Sequence, residues 1–402
     1  MCPMCLYVLK NKWMKTYNFD ELIDRSHTNS IKYDGRKVFF GKEDILPLWV
    51  ADMDFRTPDF IVEAIKKRAD QDIYGYTFRA EGYNHSIVQW LKRRHDWEIK
   101  PEWITFSPGV VAGLTLAIEA LSKPGDGVII QPPVYFPFFD SVKGTGRELI
   151  ENPLRIENGR YYFDFEDLKN KITPQTRLLL LSNPQNPGGM AWNEQELSEL
   201  AQICIENKVL IISDEIHSDL IFEGSRHTPL AGISDEIAQN CLVLMSPSKT
   251  FNTAGLTTSF LVIPNKRHFA AYERVMRVPH LHMGNIFGTV ALEAAYTHGD
   301  KWLGQLLKYL HENYNFLEKF FNENLPQVKV MRPEATYLIW MDFSEFGLSD
   351  EDLNQKLIQA GVGLNRGVQF GKQGRGFMRI NIGCPRSVLQ EALVRIQKAF
   401  QK

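Results

Sequence analysis

The sequence has no long hydrophobic run and almost no net charge. No uninterrupted apolar stretch approaches the roughly 18 residues that span a bilayer, which predicts a protein without a membrane segment. The N-terminal stretch MCPMCLYVLKNKWMK places its basic residues after a short apolar run, the wrong layout for a secretory signal, and we expect a cytoplasmic protein. The 46 Lys and Arg against 48 Asp and Glu leave a net charge of −2. Without a positive excess to neutralise phosphates, we expect neither nucleic acid nor a membrane surface as a partner.

Cysteines are few and odd in number, which argues against a disulfide framework. The five are Cys2, Cys5, Cys204, Cys241 and Cys384. Cys2 and Cys5 form a C-x-x-C pair, but no second pair in metal-ligand spacing accompanies it. We therefore interpret residues 1–13 as a disordered extension ahead of the folded unit, with a redox or zinc site as the alternative.

The middle of the chain alternates short apolar runs with amphipathic helical stretches. This alternation is typical of βαβ units, and strands that are apolar at every position are expected when helices cover both faces of a parallel sheet. Helices are predicted at residues 110–121 and 194–207. Strands are predicted at residues 103–107, 127–131, 177–182, 209–213 and 241–245. The sequence thus predicts an α/β protein with a mostly parallel central sheet and helices on both faces.

The length and a change of pattern indicate more than one domain. At roughly 100–200 residues a domain, 402 residues suggest two or three. Beyond about residue 290 comes a long helix whose large apolar residues recur at helical spacing, which we interpret as core. Those residues are Trp302, Leu306, Leu310, Tyr314, Leu317 and Phe321. We predict a large domain at 58–290, a smaller α+β domain at 291–402, and an N-terminal segment at 14–57 that packs with the smaller domain.

The usual hydrolytic and nucleotide-binding motifs are missing: the chain has no G-x-x-x-x-G-K-[ST], no G-x-S-x-G and no H-E-x-x-H. Polar residues instead follow the apolar strands, where open α/β sheets bind ligands. These strand ends supply an amide at Asn186, a carboxylate at Asp214 and a lysine between hydroxyls at Lys249. They also supply a helix N-terminus at Gly109 and an aromatic ring at Tyr135.

Together these groups fit one kind of ligand. The N–H groups of a helix N-terminus bind phosphate, and the hydroxyls of Ser246 and Ser248 add donors. A desolvated lysine near other cations forms a Schiff base with an aldehyde. A carboxylate holds a pyridine nitrogen protonated, and an aromatic ring stacks on the heterocycle. Phosphate, aldehyde and pyridine together describe pyridoxal 5′-phosphate (PLP).

The same residues resemble the class I/II aminotransferase superfamily, the fold-type I PLP enzymes. The motifs SPSKTFN around Lys249, NPQNPGG with Asn186, DEIH at Asp214 and FMRIN with Arg379 are specific in combination. The resemblance runs from about Tyr17 to the C-terminus. It implies a PLP enzyme whose small-molecule substrate is an amino acid.

The resemblance also implies roles for individual residues. Lys249 would hold the cofactor and move the proton of the substrate's Cα, Asp214 would pair with the pyridine nitrogen, and Asn186 would donate to the phenolic oxygen. Tyr135 would stack on the ring, and Arg379 would grip the substrate's α-carboxylate through its guanidinium fork. The phosphate would be bound by Gly109, Val110, Val111, Ser246 and Ser248.

A tyrosine in the motif IYGYT implies a homodimer. Tyr76 resembles the tyrosine that reaches the phosphate of the neighbouring subunit in this superfamily. Tyr74, two residues earlier, is the alternative for that role.

Two departures from the usual motifs of the superfamily indicate one branch within it. His217 stands where most members have a tyrosine three residues after the aspartate, and Thr257 stands where most have a phosphate-binding arginine eight residues after the lysine. Both departures, with PLWVADMDF at 47–55, resemble the MalY/PatB-type C–S β-lyases, a branch that includes cystathionine β-lyases. We count His217 among the cofactor-binding residues. Because that arginine is missing, the serines and the helix amides would have to provide more of the interactions with the phosphate.

The resemblance implies α,β-elimination from a small sulfur-containing amino acid, L-cystathionine or a related cysteine conjugate. The products would be a thiol such as homocysteine, pyruvate and ammonia. The alternative is an aminotransferase that uses the same residues, and a cofactor-bound regulatory protein is less favoured.

In isolation Asp214, Glu215, His217 and Asp219 would suit a metal, but no second cluster completes a shell, and we expect no metal.

Overall fold

The structure is a computed structural model that describes residues 15–401. The predicted extension at residues 1–13, with Cys2 and Cys5, lies outside the described residues. Among residues 15–401, none of the helices combines the length and the hydrophobicity needed to cross a membrane.

Strands and helices alternate through most of the described chain. In chain order, the strands within residues 15–401 are β1 (Leu46–Pro47), β2 (Ile104–Ser107), β3 (Gly127–Ile130), β4 (Glu148–Glu151), β5 (Arg155–Glu157), β6 (Arg160–Tyr162), β7 (Thr176–Ser182), β8 (Leu210–Asp214), β9 (Cys241–Met245), β10 (Ser259–Val262), β11 (Lys329–Val330), β12 (Leu338–Asp342), β13 (Val362–Gly363), β14 (Asn365–Arg366) and β15 (Phe377–Asn381). The α-helices of the same range are Arg36–Phe40, Asp59–Ala69, Glu81–His95, Val110–Leu121, Pro137–Gly144, Phe165–Lys171, Glu194–Glu206, Asp235–Gln239, Lys266–Arg277, Ile286–His298, Asp300–Asn324, Asp350–Gln359 and Arg386–Phe400. Short 3₁₀ helices cover Pro101–Trp103, Leu230–Gly232, Ala254–Leu256, Leu281–Met283, Ser344–Phe346, Gly367–Phe370 and Lys372–Gly374.

A seven-stranded sheet forms the centre of the described chain, in the order β2-β10-β9-β8-β7-β3-β4. Only β10 runs antiparallel to its neighbours in this sheet, so the prediction of a mostly parallel sheet is confirmed. The carboxyl ends of the parallel strands therefore share one edge, and the polar residues that follow them lie together there.

Helices cover both faces of this sheet because its strands are apolar on both sides. In β7, Leu178 and Leu180 face the core beneath the helices Val110–Leu121 and Lys266–Arg277. The intervening Leu179 and Leu181 face the larger core that includes side chains of the helix Glu194–Glu206. Successive side chains of a strand point to opposite faces, so a continuous apolar run is the expected pattern for a strand buried on both.

The C-terminal part of the chain builds a second, four-stranded sheet in the order β11-β12-β15-β14, antiparallel throughout. The N-terminal segment joins this part, since β1 pairs in parallel with β13. All six residues of the predicted aromatic stripe on the helix Asp300–Asn324 are buried, at most 3% exposed, as expected for core. The domain limits at 57/58 and 290/291 stay a prediction.

The predicted elements of the central sheet agree closely with the structure, with two omissions, β4 and β10. The helix at 110–121 and the strand at 241–245 have the predicted bounds, and the other four strands predicted for the central sheet differ by one residue at one end or, for β8, at both ends. β10 was not predicted. It is only four residues long and follows a turn rich in threonine, so it lacks the flanking helical pattern that identifies the parallel strands.

The central strand β7 offers a test of this packing. Leu180 is completely buried, so Leu180→Ala is expected to lower the free energy of unfolding by about 2–5 kcal/mol through lost burial and the cavity left behind. Leu22→Ala is the matched control, since Leu22 is 67% exposed and the change there should stay within about 0.5 kcal/mol. Denaturant unfolding of both variants measures the difference, and equal effects would contradict the assigned core.

Candidate active site

A cavity of about 220 Å³ lies at the carboxyl edge of the central sheet. Ten of the residues predicted from the sequence line it: Gly109, Val110, Val111, Tyr135, Asn186, Asp214, His217, Ser246, Ser248 and Lys249. They come from loops that follow five different strands, and the strand order brings them to one place. Of the other predicted residues, Arg379 lies next to Asn186 and Tyr76 lies elsewhere on the surface.

One wall of the cavity is the start of the helix Val110–Leu121. Gly109 precedes the helix with φ +109°, a conformation that favours glycine. The N–H of Gly113 is bonded to the Gly109 carbonyl, so the amides of Val110 and Val111 have no partner within the helix. Unpaired amides and the positive end of the helix dipole make this wall suitable for an anion such as phosphate.

The two predicted serines differ in how far their hydroxyls are already engaged. Ser246 Oγ donates to the Thr258 carbonyl at 2.7 Å and accepts from the Ser248 amide at 3.1 Å. The Ser248 hydroxyl forms no hydrogen bond with any residue in 15–401, which leaves it available to a ligand. Thr257, at the position of the missing arginine, also lines the cavity and adds no charge.

Asp214 ends β8 at the cavity and is 6% exposed. Burial is the main cause that raises the pKa of its carboxyl, to about 7, and the amide of Ile216 opposes this by donating to Oδ1 at 3.1 Å. Its other oxygen makes no hydrogen bond within the described chain. A cationic N–H placed in the cavity would stabilise the ionised form, so the carboxyl suits a protonated ring nitrogen.

Lys249 also lines the cavity, and its amine donates to the carbonyl of Ala51 at 2.8 Å. Burial lowers the pKa of this amine to about 8, with a further decrease from the charge of Arg379 and opposing contributions from Asp52 and Asp214. A substantial fraction is therefore neutral near pH 7.5, whereas an ordinary lysine is almost fully protonated there. A neutral amine can attack an aldehyde or accept a proton.

His217 is a neutral imidazole in this environment. Burial is the main cause that lowers its pKa to about 3, and the charges of Lys249 and Arg379 act in the same direction. Its Nδ1 is buried without a hydrogen-bond partner among the described residues. An unpaired polar atom at a cavity wall is a group that a bound ligand would satisfy.

Arg379 reaches the cavity edge from β15 of the second sheet. It is 2% exposed and donates to Asn186 Oδ1 at 2.9 Å, to the Trp49 carbonyl at 3.0 Å and to Asn365 Oδ1 at 2.6 Å. Burial lowers the pKa of its guanidinium to about 10. Within residues 15–401 no carboxylate pairs with it, and its Nε has no partner. A buried guanidinium without an acidic partner is well suited to an anionic ligand group.

The sequence reasoning missed the residues of the N-terminal segment that close the cavity. The Ala51 carbonyl accepts hydrogen bonds from both Lys249 and Tyr337, and the Trp49 carbonyl accepts from Arg379. Ala51 and Trp49 both belong to the motif PLWVADMDF at 47–55, which carries the family resemblance. These contacts are made by backbone carbonyls, and no side-chain pattern reveals them.

The two candidate tyrosines lie outside the cavity and differ in exposure. Tyr74 is 59% exposed, its hydroxyl donates to the Ala69 carbonyl at 2.9 Å, and its ring lies 5.8 Å from that of Phe287. Tyr76 is 99% exposed and contacts no other aromatic ring of the described chain. Of the two hydroxyls, the one of Tyr76 has no hydrogen-bond partner in the part of the chain that the structure describes, which leaves it free for another molecule.

Comparison with known proteins finds one family and close relatives over nearly the whole chain. The family model "Aminotransferase class I and II" matches residues 43–396. Cystathionine beta-lyase PatB of Bacillus subtilis is 45% identical over 95% of this chain and 100% of that protein. A PLP-bound putative aminotransferase from Clostridium difficile is 47% identical with a TM-score of 0.94, covering 96% of this chain and 100% of that one. The PLP-bound C–S lyase from Staphylococcus hominis is 35% identical with a TM-score of 0.90, covering 97% and 99%.

The lowered pKa of Lys249 predicts unusual reactivity with a small aldehyde. In the protein without a bound cofactor, reductive methylation with formaldehyde is expected to modify Lys249 at a rate that is half-maximal near pH 8 and levels off by about pH 9, because the amine is half neutral at its pKa and almost fully neutral one unit above it. The control is Lys32, a completely buried lysine held in an ion pair with Asp54 at 2.8 Å, which should react slowly. Peptide mass spectrometry measures both, and a rate for Lys249 that keeps rising to pH 10 would contradict the lowered pKa.

Proposed function

The chain belongs to the aminotransferase class I and II family, and from that premise we propose that it is a PLP-dependent carbon–sulfur β-lyase. The observation that carries the proposal is the cavity itself, where a lysine of lowered pKa, a buried carboxyl and a row of free helix amides face one space. The relative named cystathionine beta-lyase supports the choice of reaction, at 45% identity over the full length of that protein.

The residues present fit PLP. The amides of Val110 and Val111 and the Ser248 hydroxyl would hold its phosphate, and the free oxygen of Asp214 would accept from its ring nitrogen. Asn186 would donate to its phenolic oxygen, and Tyr135, which lines the same cavity, would stack on the ring. The unpartnered Nδ1 of His217 offers one more polar contact. Six of these seven groups match the phosphate, the ring nitrogen, the phenolic oxygen and the ring face of PLP.

When bound, PLP supplies an aldehyde that links to an amine and a ring that accepts an electron pair. The Lys249 amine, whose lowered pKa leaves a substantial fraction neutral near physiological pH, would take the proton from the substrate's Cα. Asp214 would keep a proton on the ring nitrogen, and the Arg379 guanidinium would fix the α-carboxylate so that the Cα–H bond is held toward Lys249. The elimination expels the thiol from Cβ, and addition of water yields pyruvate and ammonia.

We propose L-cystathionine or a related cysteine conjugate as the substrate, with homocysteine as the thiol released from cystathionine. The C–S lyase and cystathionine β-lyase relatives support this substrate class. The cytoplasmic location stays a prediction.

A product assay tests the reaction type. Purified holoenzyme incubated with L-cystathionine and no 2-oxo acid is expected to release pyruvate, ammonia and thiol in equal amounts. Lys249→Ala should lower this rate by more than about a thousandfold, because it removes both the attachment point and the base for the Cα proton.

Two outcomes would contradict the proposal. Amino-group transfer that occurs only when 2-oxoglutarate is supplied would identify an aminotransferase, as the name of the Clostridium difficile structure suggests for that protein. An absence of both reactions in protein that binds PLP would favour a regulatory role.

We also propose that the protein works as a homodimer. The irregular segment 73–80 carries four large apolar side chains in the open, namely Ile73 at 75%, Tyr74 at 59%, Tyr76 at 99% and Phe78 at 83% exposure. Val278 is 77% exposed as well. Contiguous exposed apolar residues of this kind indicate a protein interface, and a second copy that donates Tyr76 to the phosphate would cover them.

The two tyrosines give a matched test of this arrangement. Tyr76→Phe removes only the hydroxyl and is expected to weaken PLP binding about tenfold, the effect of losing one hydrogen bond to a charged phosphate. Tyr74→Phe should leave the affinity unchanged, because that hydroxyl donates to Ala69 of its own chain. Equilibrium titration of the cofactor-free variants with PLP measures both, alongside sedimentation to establish the oligomeric state. The reverse ranking would assign the role to Tyr74.

A further inference from the structure

A buried carboxylate outside the cavity holds the segment that carries Lys249. Asp219 is 3% exposed, and its Oδ1 accepts from the indole Nε1 of Trp90 and from Nε2 of His95, each at 3.0 Å. Its Oδ2 accepts from the Thr250 hydroxyl at 3.0 Å. Three donors on one carboxylate, all buried, form a satisfied polar centre inside an apolar core.

Asp219 is charged despite its burial. Burial alone raises the pKa of its carboxyl, but the hydrogen bond and charge of His95, the charge of Arg94 and the Thr250 hydroxyl together keep this pKa below its usual range. The other titratable groups that face it are His227 and Tyr296. A buried charge persists only where such donors compensate for lost hydration, so removing one donor is costly.

The donors of Asp219 come from two separate parts of the chain. Trp90 and His95 lie on the helix Glu81–His95, where the completely buried Trp90 ring stacks on Tyr296 at 4.9 Å and meets the edge of Phe251 at 5.7 Å. This packing makes the helix a rigid support. Thr250, the third donor, belongs to the turn after β9.

The position of Thr250 connects this centre to the active site. Thr250 directly follows Lys249, and its side chain is completely buried while that of Lys249 lines the cavity. Asp219 lies on the loop that directly follows Asp214 and also carries His217. The Thr250–Asp219 hydrogen bond therefore joins the two segments that supply the amine and the carboxyl, behind the cavity wall.

We propose that Asp219 is a positioning residue, which acts through Thr250 to hold the Lys249 amine at its distance and orientation from Asp214. Asp219 touches neither the cavity nor Arg379, so its contribution falls on the proton transfer and not on substrate binding. The inference rests on the proposed function in one respect, namely that Lys249 is the residue that holds the cofactor.

The holoenzyme variant Thr250→Val tests the proposal, because it removes the hydroxyl and keeps the shape of the side chain. We expect kcat for the lyase reaction to fall about tenfold with KM changed less than about twofold. The visible absorbance of the lysine-bound cofactor can be followed in a pH titration, and we expect the midpoint of this titration to rise by about half a pH unit or more. The reason is that a looser turn admits water to Lys249, and water favours the protonated form. Thr250→Ser, which restores the hydroxyl, should return both quantities toward the wild-type values.

Thr253→Val is the matched control. Thr253 is 8% exposed on the same turn, and its hydroxyl forms no hydrogen bond within residues 15–401. This variant should leave kcat and the absorbance midpoint unchanged. Asp219→Asn adds a second variant, expected to change both quantities in the same direction as Thr250→Val.

The absorbance titration keeps this inference separate from the proposed reaction. If the wild type binds PLP but cleaves no sulfur substrate, the proposed function fails, yet a midpoint shifted in Thr250→Val and restored in Thr250→Ser would still support Asp219. Wild-type midpoint and kcat in Thr250→Val would overturn the inference. Equal behaviour of Thr250→Val and Thr250→Ser, or an equal change in Thr253→Val, would overturn it as well.

Discussion

The burial of the Lys249 amine beside the Asp214 carboxyl is the constraint on which the rest of the site depends. Desolvation disfavours the charged form of each group, so it lowers the pKa of the amine to about 8 and raises that of the carboxyl to about 7. Both values come close to physiological pH, where a group exchanges protons most effectively. A pair left open to water would return to ordinary values and lose this property.

The N-terminal segment supplies the hydrogen-bond acceptor of the amine and also connects the two sheets. The Ala51 carbonyl receives Lys249 from the central sheet, while Asn381 of β15 donates to the carbonyls of Val50 and Asp52 at 2.7 and 2.6 Å. Arg379, on the same strand, donates to the Trp49 carbonyl. Arg379 is suited to a substrate carboxylate and Lys249 to the substrate's Cα proton. Both donate hydrogen bonds to the same short run of backbone, which therefore sets the spacing between them.

Much of the fold and of the cavity could be predicted because buried strands and their polar ends are local patterns. The run Leu178–Leu181 is apolar at every position because both faces are covered, and Asp214 is the polar residue that ends its strand. β10 could not be predicted, because a run of four residues after a turn shows too little hydrophobic periodicity to identify a strand. The role of the Ala51 carbonyl could not be predicted, because any residue type can supply a backbone acceptor. The hydrogen bond from Thr250 to Asp219 could not be predicted either, because its partners are 31 positions apart in the sequence.

The amino-acid sequence by itself determined which residues stand at the strand ends, and the resemblance of their motifs indicated the cofactor class and the family. Those features depend on residue type and spacing, which are fully present in the chain. Only the tertiary structure decided which charges are desolvated and which donors remain unpaired. Within residues 15–401 it buried Arg379 without a carboxylate partner, left the hydroxyl of Tyr76 free while that of Tyr74 is bonded, and placed Asp219 behind the lysine. Desolvation and hydrogen-bond partnership are properties of how distant segments pack, and no local stretch of sequence contains them.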